Sequence, residues 1–427
     1  MRIAIVTPTA RSSAVGAVSA SLALQLVVQG HQVEVVATET TVSFPATEQS
    51  FPNAPVHYLE DVAEVRLRQA DVVIYQIGNH FVNHAGAVYW LHRVPGVVCL
   101  HDIYLGHLFV AWAQSNRDEA ESIIRRWYGV EVQKRFWGWH RGPNFIEDTV
   151  TVAPMTEWIC ANAIGVVTHS EWGVDRILRS CPGPVWSFPL CYAKLVPETT
   201  DIRKASIIND EANIVILTFG YIVSNKRIEL VIDAIASSSE LRERLSYRVV
   251  GPLTPEYLEV LQHRARQRSV QVEFTGEVSE YQLADEISKA DVVVALRWPA
   301  TEAASASVIE ALCHGKPTIV TDTGWYAELP DDVVVKMNVA ATPMDFSKTL
   351  YKLLHNTQQL LNLSASSRRY ADDTYSAHKY ALHINEYIRH TLPTLVVQEA
   401  MRNAVQILAS WNVQHATLGP AIKWNIF

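Results

Sequence analysis

Two glutamates, Glu302 and Glu310, stand eight residues apart in Thr301-Glu302-Ala303-Ala304-Ser305-Ala306-Ser307-Val308-Ile309-Glu310-Ala311-Leu312. Some 75 residues earlier, Asn225-Lys226-Arg227 follows an apolar run that ends at Phe219-Gly220. These residue types suit a sugar joined to a nucleoside diphosphate. Adjacent cations match a diphosphate and neutralise it as it departs. The small residues Ser305, Ala306 and Ser307 let backbone N–H groups approach phosphate, and a helix beginning there turns its positive end toward the same anion. Glu310, about one turn inside that helix, would reach a ribose, and Glu302, in the preceding loop, a sugar. Each part has a plainer reading: paired cations are often solvated surface charges, and glutamates eight apart arise by chance. Their occurrence in one half of the chain, each next to a strand-like run, gives the combination its weight.

The elements that must position these residues read as two α/β halves. Ile3–Val6, Val33–Val36, Val72–Tyr75, Val97–Leu100 and Gly165–Thr168 are short apolar runs expected to be strands. Between them Ala17–Gln29, Asp61–Arg68, Ala85–Leu91 and Glu171–Ser180 read as helices. Polar, proline-containing composition from Tyr192 to Glu211 reads as a linker. Alternation restarts with strands Ile214–Phe219, Arg248–Gly251, Val272–Thr275, Val292–Leu296 and Thr318–Thr321. Helices Ile228–Ser237, Pro255–Arg268, Glu280–Lys289 and Ser305–His314 interleave with them. Such alternation predicts doubly wound parallel sheets, which bind ligands beyond the carboxyl ends of their strands. The expected architecture is two Rossmann-like domains, 1–195 and 205–375, facing a central cleft, with C-terminal helices over 376–427. In that tail Val397, Met401, Ala404, Leu408 and Trp411 form an apolar stripe at helical spacing, suited to the chain's own domains or to a second subunit.

Composition excludes several classes. A chain of 427 residues exceeds one ordinary core. Its net charge of −8 argues against a general nucleic-acid binder. Five cysteines without a Cys-x-x-Cys pair read as reduced core residues of a cytoplasmic protein. The sequence opens on a strand pattern rather than a signal peptide, and no apolar run nears the length of a membrane span. His80, His84 and His107 lack metal-ligand spacing, and no Asp-x-Asp occurs, so no metal is expected. Residues 122–141 mix Arg125, Arg126, Lys134, Arg135 and Arg141 with Trp127, Phe136, Trp137 and Trp139. That mixture fits either aromatics entering a core or a peripheral contact with an anionic membrane at its inner face.

The whole pattern resembles glycosyltransferase family 4, retaining transferases of GT-B fold, and within it a bacterial subgroup. The matching residues are Glu302 and Glu310 with Gly315-Lys316-Pro317, Phe219-Gly220 through Lys226-Arg227, Leu296-Arg297-Trp298-Pro299 and Trp325 to Pro330. In the first half Tyr75-Gln76-Ile77-Gly78-Asn79 and Pro95 to Asp102 are also similar. The resemblance implies a cytoplasmic, metal-independent hexosyltransferase that needs no cofactor. Its substrates would be a nucleoside diphosphate sugar and a glycan, glycolipid or other hydroxyl acceptor, in cell-surface polysaccharide or glycolipid synthesis. The first domain would carry the acceptor and the second the donor. By the same resemblance Lys226 binds the departing diphosphate, Glu302 the sugar hydroxyls and Glu310 the ribose. The amides of Ser305 to Ser307 cap the phosphates, His101 lies near donor sugar and acceptor, and Gly16 belongs to a first-domain loop facing the diphosphate. Tyr221 replaces the arginine that many members carry after the glycine corresponding to Gly220, and Arg227 stands in for its charge. Ala303 and Ser305 replace common glycines. A sugar phosphorylase and a non-catalytic binding partner on the same scaffold are the alternatives, and a homo-oligomer is compatible with all three.

Overall fold

A computed structural model of the protein describes residues 1–39, 49–58, 64–192 and 214–410. The first sheet contains β1 (Arg2–Thr7), β2 (Gln32–Ala37), β3 (Val56–His57), β4 (Val72–Ile77), β5 (Val97–Leu100), β6 (Gly165–Thr168) and β7 (Val185–Ser187), in the order β3-β2-β1-β4-β5-β6-β7. The second contains β8 (Ile214–Phe219), β9 (Leu245–Val250), β10 (Val272–Gly276), β11 (Val292–Ala295), β12 (Thr318–Thr321) and β13 (Val335–Met337), in the order β10-β9-β8-β11-β12-β13. Neighbouring strands pair in parallel, as with Val292 on Ile216 and Val293 on Leu217. Helices cover both faces, so strand residues are buried on alternate sides. Along β8, Ile214 and Ile216 enter one apolar cluster, whereas Leu217 and Phe219 enter another with Ile287 and Ala311.

In each sheet the chain runs outward in opposite directions from a central pair, β1 with β4 and β8 with β11. At such a reversal the following loops diverge and leave a crevice at the carboxyl edge. Gly220 follows β8, and the stretch leading to helix Ala306–Cys313 follows β11. The sequence pattern therefore delivers both segments expected to hold a diphosphate to one switch point.

The chain divides into two compact units. The first comprises Met1–Cys191, Thr301–Ala304 and Ala377–Phe427, and the second Tyr192–Ala300 and Ser305–Ser376. Helix Ala377–Thr391 lies with the first unit through Asn385 Nδ2, which donates to Gln29 Oε1 at 3.1 Å, and the Tyr387 hydroxyl, which donates to the Pro184 carbonyl at 2.7 Å. Helix Leu395–Ser410 follows, and its Gln398 donates to the Ile164 carbonyl at 2.9 Å. Of the apolar stripe expected there, Val397 is 60% exposed, Ala404 is open and Met401 is half-buried. Trp411 and the Leu408 side chain lie outside the described residues, as do most of the linker and the start of the helix expected at Asp61.

Helix Arg117–Arg141 bends at Gly129, whose φ is 87°. Phe136 is buried edge-on against Phe109 and Phe145, at ring separations of 5.8 and 5.6 Å. Trp127, Trp137 and Trp139 pack half-buried against the same core. Arg117 stacks on Trp137 at 3.6 Å and Arg135 on Trp139 at 4.7 Å. The aromatics of this segment thus serve packing, while Arg125, Arg126, Lys134, Arg135 and Arg141 remain exposed. Among the described residues no helix is long and apolar enough to cross a membrane.

Candidate active site

In the second unit the backbone turns at Gly220 with φ +88°, a conformation that favours glycine. A Cβ there would lie 2.8 Å from Ser307 Oγ and 3.1 Å from Lys226 Nζ. The missing side chain therefore leaves room between a cation and the start of helix Ala306–Cys313. Gly251, at φ +136°, packs its own backbone against Gly220, where a Cβ would overlap the Gly220 carbonyl. Lys226 ends the short 3-10 turn Ser224–Lys226 and is only 2% exposed. Its ammonium donates to the Phe219 carbonyl, which also accepts from Ser307 Oγ at 3.4 Å. Asn225 fixes the turn: its carbonyl accepts from the Trp298 amide at 2.8 Å and its Nδ2 donates to the Pro299 carbonyl at 3.3 Å.

Ser305 is the N-cap of the helix, is buried, and makes no side-chain cap bond. The first-turn amides of Ala306 and Ser307 have no carbonyl within the helix to bond. The structure brings Gly220, Lys226 and Ser307 together, with Ser305 and Ala306 on the same turn. It takes Arg227 elsewhere. Arg227 adopts the left-handed conformation at φ 55°, and its guanidinium donates to the carbonyls of Val339 and Ala341 at 3.0 and 3.4 Å. The charge expected beside Lys226 is thereby engaged in holding the loop after β13, a consequence of the reversed φ, which points consecutive side chains apart.

Glu310 is more shielded than its place in a short helix suggests. Burial, with help from Glu280, raises its carboxyl to about 7, while a hydrogen bond from Tyr192 opposes the rise. The Tyr192 phenol is driven well above its ordinary range by burial and by that carboxylate.

In the first unit His101 follows β5. It is buried, and its Nε2 meets Gln76 Oε1 at 2.6 Å. Its ring lies 5.0 Å from that of His169. Burial, then the neighbouring His169 and His84, hold His101 well below its usual 6.5, so the ring is neutral at physiological pH. With Nε2–H donated to Gln76, Nδ1 keeps its lone pair. Glu302 joins this unit through an isolated antiparallel bridge to Asp102, and the Ala303 amide donates to the His101 carbonyl at 2.8 Å. The Ile103 and Tyr104 amides both donate to the Thr301 carbonyl, at 2.8 and 3.1 Å. His101 and Glu302, 201 positions apart in sequence, are thus neighbours. Gly16 lies in the first turn of helix Ala14–Val28, where a Cβ would sit 2.8 Å from the Pro8 carbonyl oxygen. The Glu39 carboxylate holds the adjoining loop by accepting from the Thr9 and Ala10 amides at 3.0 and 3.1 Å.

Four site neighbours escaped the sequence reading as functional residues: Gln76, His169, Glu39 and Tyr192. Gln76 is the second residue of the quoted Tyr75-Gln76-Ile77-Gly78-Asn79 motif and lies near the end of β4, at the switch point, so its position carried a signal. Tyr192 carried none, because it begins a stretch of linker composition. Among the described residues no group of three or more His, Cys, Asp or Glu side chains is placed to hold a metal ion.

Residues 198–370 match the family described as glycosyl transferases group 1. No curated relative matches the chain. Among solved structures, the chain is similar to sucrose-phosphate synthase from Thermosynechococcus elongatus at a TM-score of 0.65 and 16% identity, over 91% of this chain and 98% of that one. It is similar to Anabaena HepE, solved with UDP and glucose, at 0.60 and 14%, over 91% and 99%. WaaG, a glycosyltransferase involved in lipopolysaccharide biosynthesis, aligns at 0.58 and 16%, over 90% and 99%. At these identities the likeness defines the fold, which is GT-B: two parallel sheets with flanking helices and a helical C-terminal segment.

Proposed function

We propose that the protein is a glycosyltransferase that moves a sugar from a nucleoside diphosphate to an acceptor hydroxyl with retention of configuration. The observation that carries this reading is the cradle at Gly220, where bare backbone separates the Lys226 ammonium from the Ser307 hydroxyl at the start of a helix. The match of residues 198–370 to glycosyl transferases group 1 supports it. In this reading the anomeric C–O bond breaks toward the diphosphate. Lys226 and the amides of Ser305 to Ser307 take up the charge that develops on the departing oxygen. An acceptor hydroxyl attacks from the same face, and the leaving phosphate takes its proton. Glu302 and neutral His101 hold sugar hydroxyls, the carboxylate accepting and Nδ1 accepting. Glu310 accepts from ribose hydroxyls, and Gly16 leaves its loop close to the phosphates. Catalysis here is positioning and electrostatics, with no protein-bound metal among its parts.

Cytoplasmic synthesis of a cell-surface polysaccharide or glycolipid fits the reading. So does peripheral contact with an anionic membrane through Arg125, Arg126, Lys134, Arg135 and Arg141, whose charges are exposed. The domain roles follow, with 1–195 for acceptor, 205–375 for donor and 376–427 as supporting helices.

Calorimetric titration with UDP, GDP, ADP, CMP and dTDP, without and then with magnesium, tests the proposal. Selective binding of one diphosphate without metal is the expected result. A folded protein that binds none of them overturns it.

A further inference from the structure

Gln76 lies on the central strand β4 and is fully buried. It pairs in register with Cys99 of β5, and the His101 amide extends that ladder by donating to the Ile77 carbonyl at 2.9 Å. His101, two positions beyond Cys99, emerges on the same side of the sheet as Gln76. Its Nε2 meets Gln76 Oε1 at 2.6 Å, and a carboxamide oxygen only accepts, so the ring proton stands on Nε2. Gln76 Nε2 makes no hydrogen bond among the described residues. An orphaned donor inside a sheet costs stability, which fits a side chain kept for its oxygen. The titratable groups around the ring are otherwise committed. His84 Nδ1 donates to the Gln76 carbonyl at 3.0 Å, and His169 Nδ1 to the Phe188 carbonyl at 3.4 Å. The Asp102 carboxylate accepts from the Asn79 amide at 2.8 Å, and Cys99 is a buried thiol. Glu302, bridged to Asp102, brings a second acceptor beside His101.

We propose that Gln76 is a positioning residue that makes His101 an obligate hydrogen-bond acceptor, so that the donor sugar must present a hydroxyl at the carbon facing the ring. The inference rests on the reading that His101 and Glu302 hold the donor sugar. Nδ1 and the Glu302 carboxylate both accept, and only a group with a proton to give satisfies them. A hexose bearing its hydroxyl there is taken. A deoxy sugar leaves Nδ1 unpaired, and a uronic acid sets a second carboxylate against two acceptors. Replacing the Gln76 oxygen by a carboxylate reverses the logic. An anion against Nε2–H favours the imidazolium, whose Nδ1–H donates instead. A buried strand residue thus chooses the class of sugar by acting through the ring.

The test combines nitrogen NMR of the histidine-labelled full chain with calorimetry, on the parent, Gln76→Glu and Gln76→Met, with thermal unfolding as the check on folding. His101→Gln assigns the signals. The parent should show His101 as the neutral Nε2–H tautomer from about pH 6 to about pH 8, and Gln76→Glu should show an imidazolium at about pH 6. Gln76→Met, which keeps the volume without the oxygen, should mix the two tautomers. Calorimetry uses UDP-glucose, or the glucose conjugate of whichever nucleotide binds, and its 2-, 3-, 4- and 6-deoxyfluoro forms, since fluorine cannot donate. One of the four should bind the parent about tenfold or more weakly, the worth of a lost hydrogen bond. In Gln76→Glu that penalty should shrink to less than about threefold at about pH 6 and return at about pH 9, where the ring has lost its extra proton. A purely structural glutamine would move neither the tautomer nor this ratio. A parent with the Nδ1–H tautomer or an imidazolium, a Gln76→Glu spectrum like the parent's, or four fluorinated forms that bind like glucose itself would overturn the inference and leave the transferase reading standing. A parent that binds no nucleotide overturns both.

Discussion

Replacing Lys226 removes the cation nearest the expected leaving group, and two variants separate its chemistry from its packing. At about 4 Å from a phosphate oxygen, with an effective dielectric near 20, one unit charge is worth about 4 kcal/mol. Loss of a preorganised donor from a charge-stabilising site slows comparable reactions by about 10²- to 10³-fold. Lys226→Ala is therefore expected to cut kcat by about two to three orders of magnitude, with a smaller change in KM, because the charge develops as the bond breaks. The same substitution opens a space in a position only 2% exposed and takes one donor from the Phe219 carbonyl. Ser307 Oγ still reaches that carbonyl at 3.4 Å, so the cost in stability should stay at about 1–3 kcal/mol. Lys226→Met keeps most of the volume and should lose the same rate with less stability. Steady-state transfer and donor hydrolysis, read beside thermal unfolding, give both quantities. Near-normal kcat in a folded Lys226→Met variant would refute this role for the ammonium.

Three further outcomes follow from other positions. Gly220→Ala should lose about 1–2 kcal/mol, because φ +88° strains an L-residue, and should weaken diphosphate binding, because the new methyl enters the gap beside Ser307; denaturant unfolding and calorimetry measure the two. The Glu310 carboxyl sits at about 7 in the fold against 4.5 in an open chain, so the folded state holds the extra proton. Its contribution to stability is complete below pH 4.5 and is lost as pH rises to about 7, by at most about 3 kcal/mol, and Glu310→Gln should flatten that slope in urea titrations run across the interval. Gly183→Ala would drive a Cβ into the Ile164 carbonyl oxygen, and a drop of several degrees in Tm is expected; an unchanged Tm would mean that this backbone moves freely.

The parts of this architecture that were legible in the sequence are those dictated by local pattern. Strands β8 and β12 and helices Pro255–Arg268 and Glu280–Lys289 coincide with their expected bounds, since buried β-branched runs mark the strands and Thr254 and Ser279 cap the starts of the helices. Edge strands β3, β7 and β13 were not read, because two or three residues at a sheet margin carry no period. Helix Gly106–Ala113 was missed as well: it is apolar nearly all round, being buried in the core, so no amphipathic face announces it. Within the site, the nearness of Gly220, Lys226 and Ser307 followed from two loops at one switch point. Arg227 was expected beside Lys226, and no spacing reveals the reversal of φ at that single residue or the turn of its guanidinium to the Val339 and Ala341 carbonyls. Likewise Gln76 and Tyr192 earn their places through contacts 25 and 118 residues away in sequence, which only the fold brings about.

The division of the chain has a practical consequence for dissection. The first unit draws on three separate stretches, ending at Cys191, spanning Thr301–Ala304 and resuming at Ala377. A truncation after residue 191 would discard Tyr387 and Gln398, the side chains that donate to the Pro184 and Ile164 carbonyls. It would also uncover the flank of helix Ala14–Val28 on which Ala377–Thr391 rests. Such a fragment should express as a sticky, protease-sensitive species, rescued by supplying the C-terminal helices in trans or by circular permutation that splices 377–410 ahead of Met1.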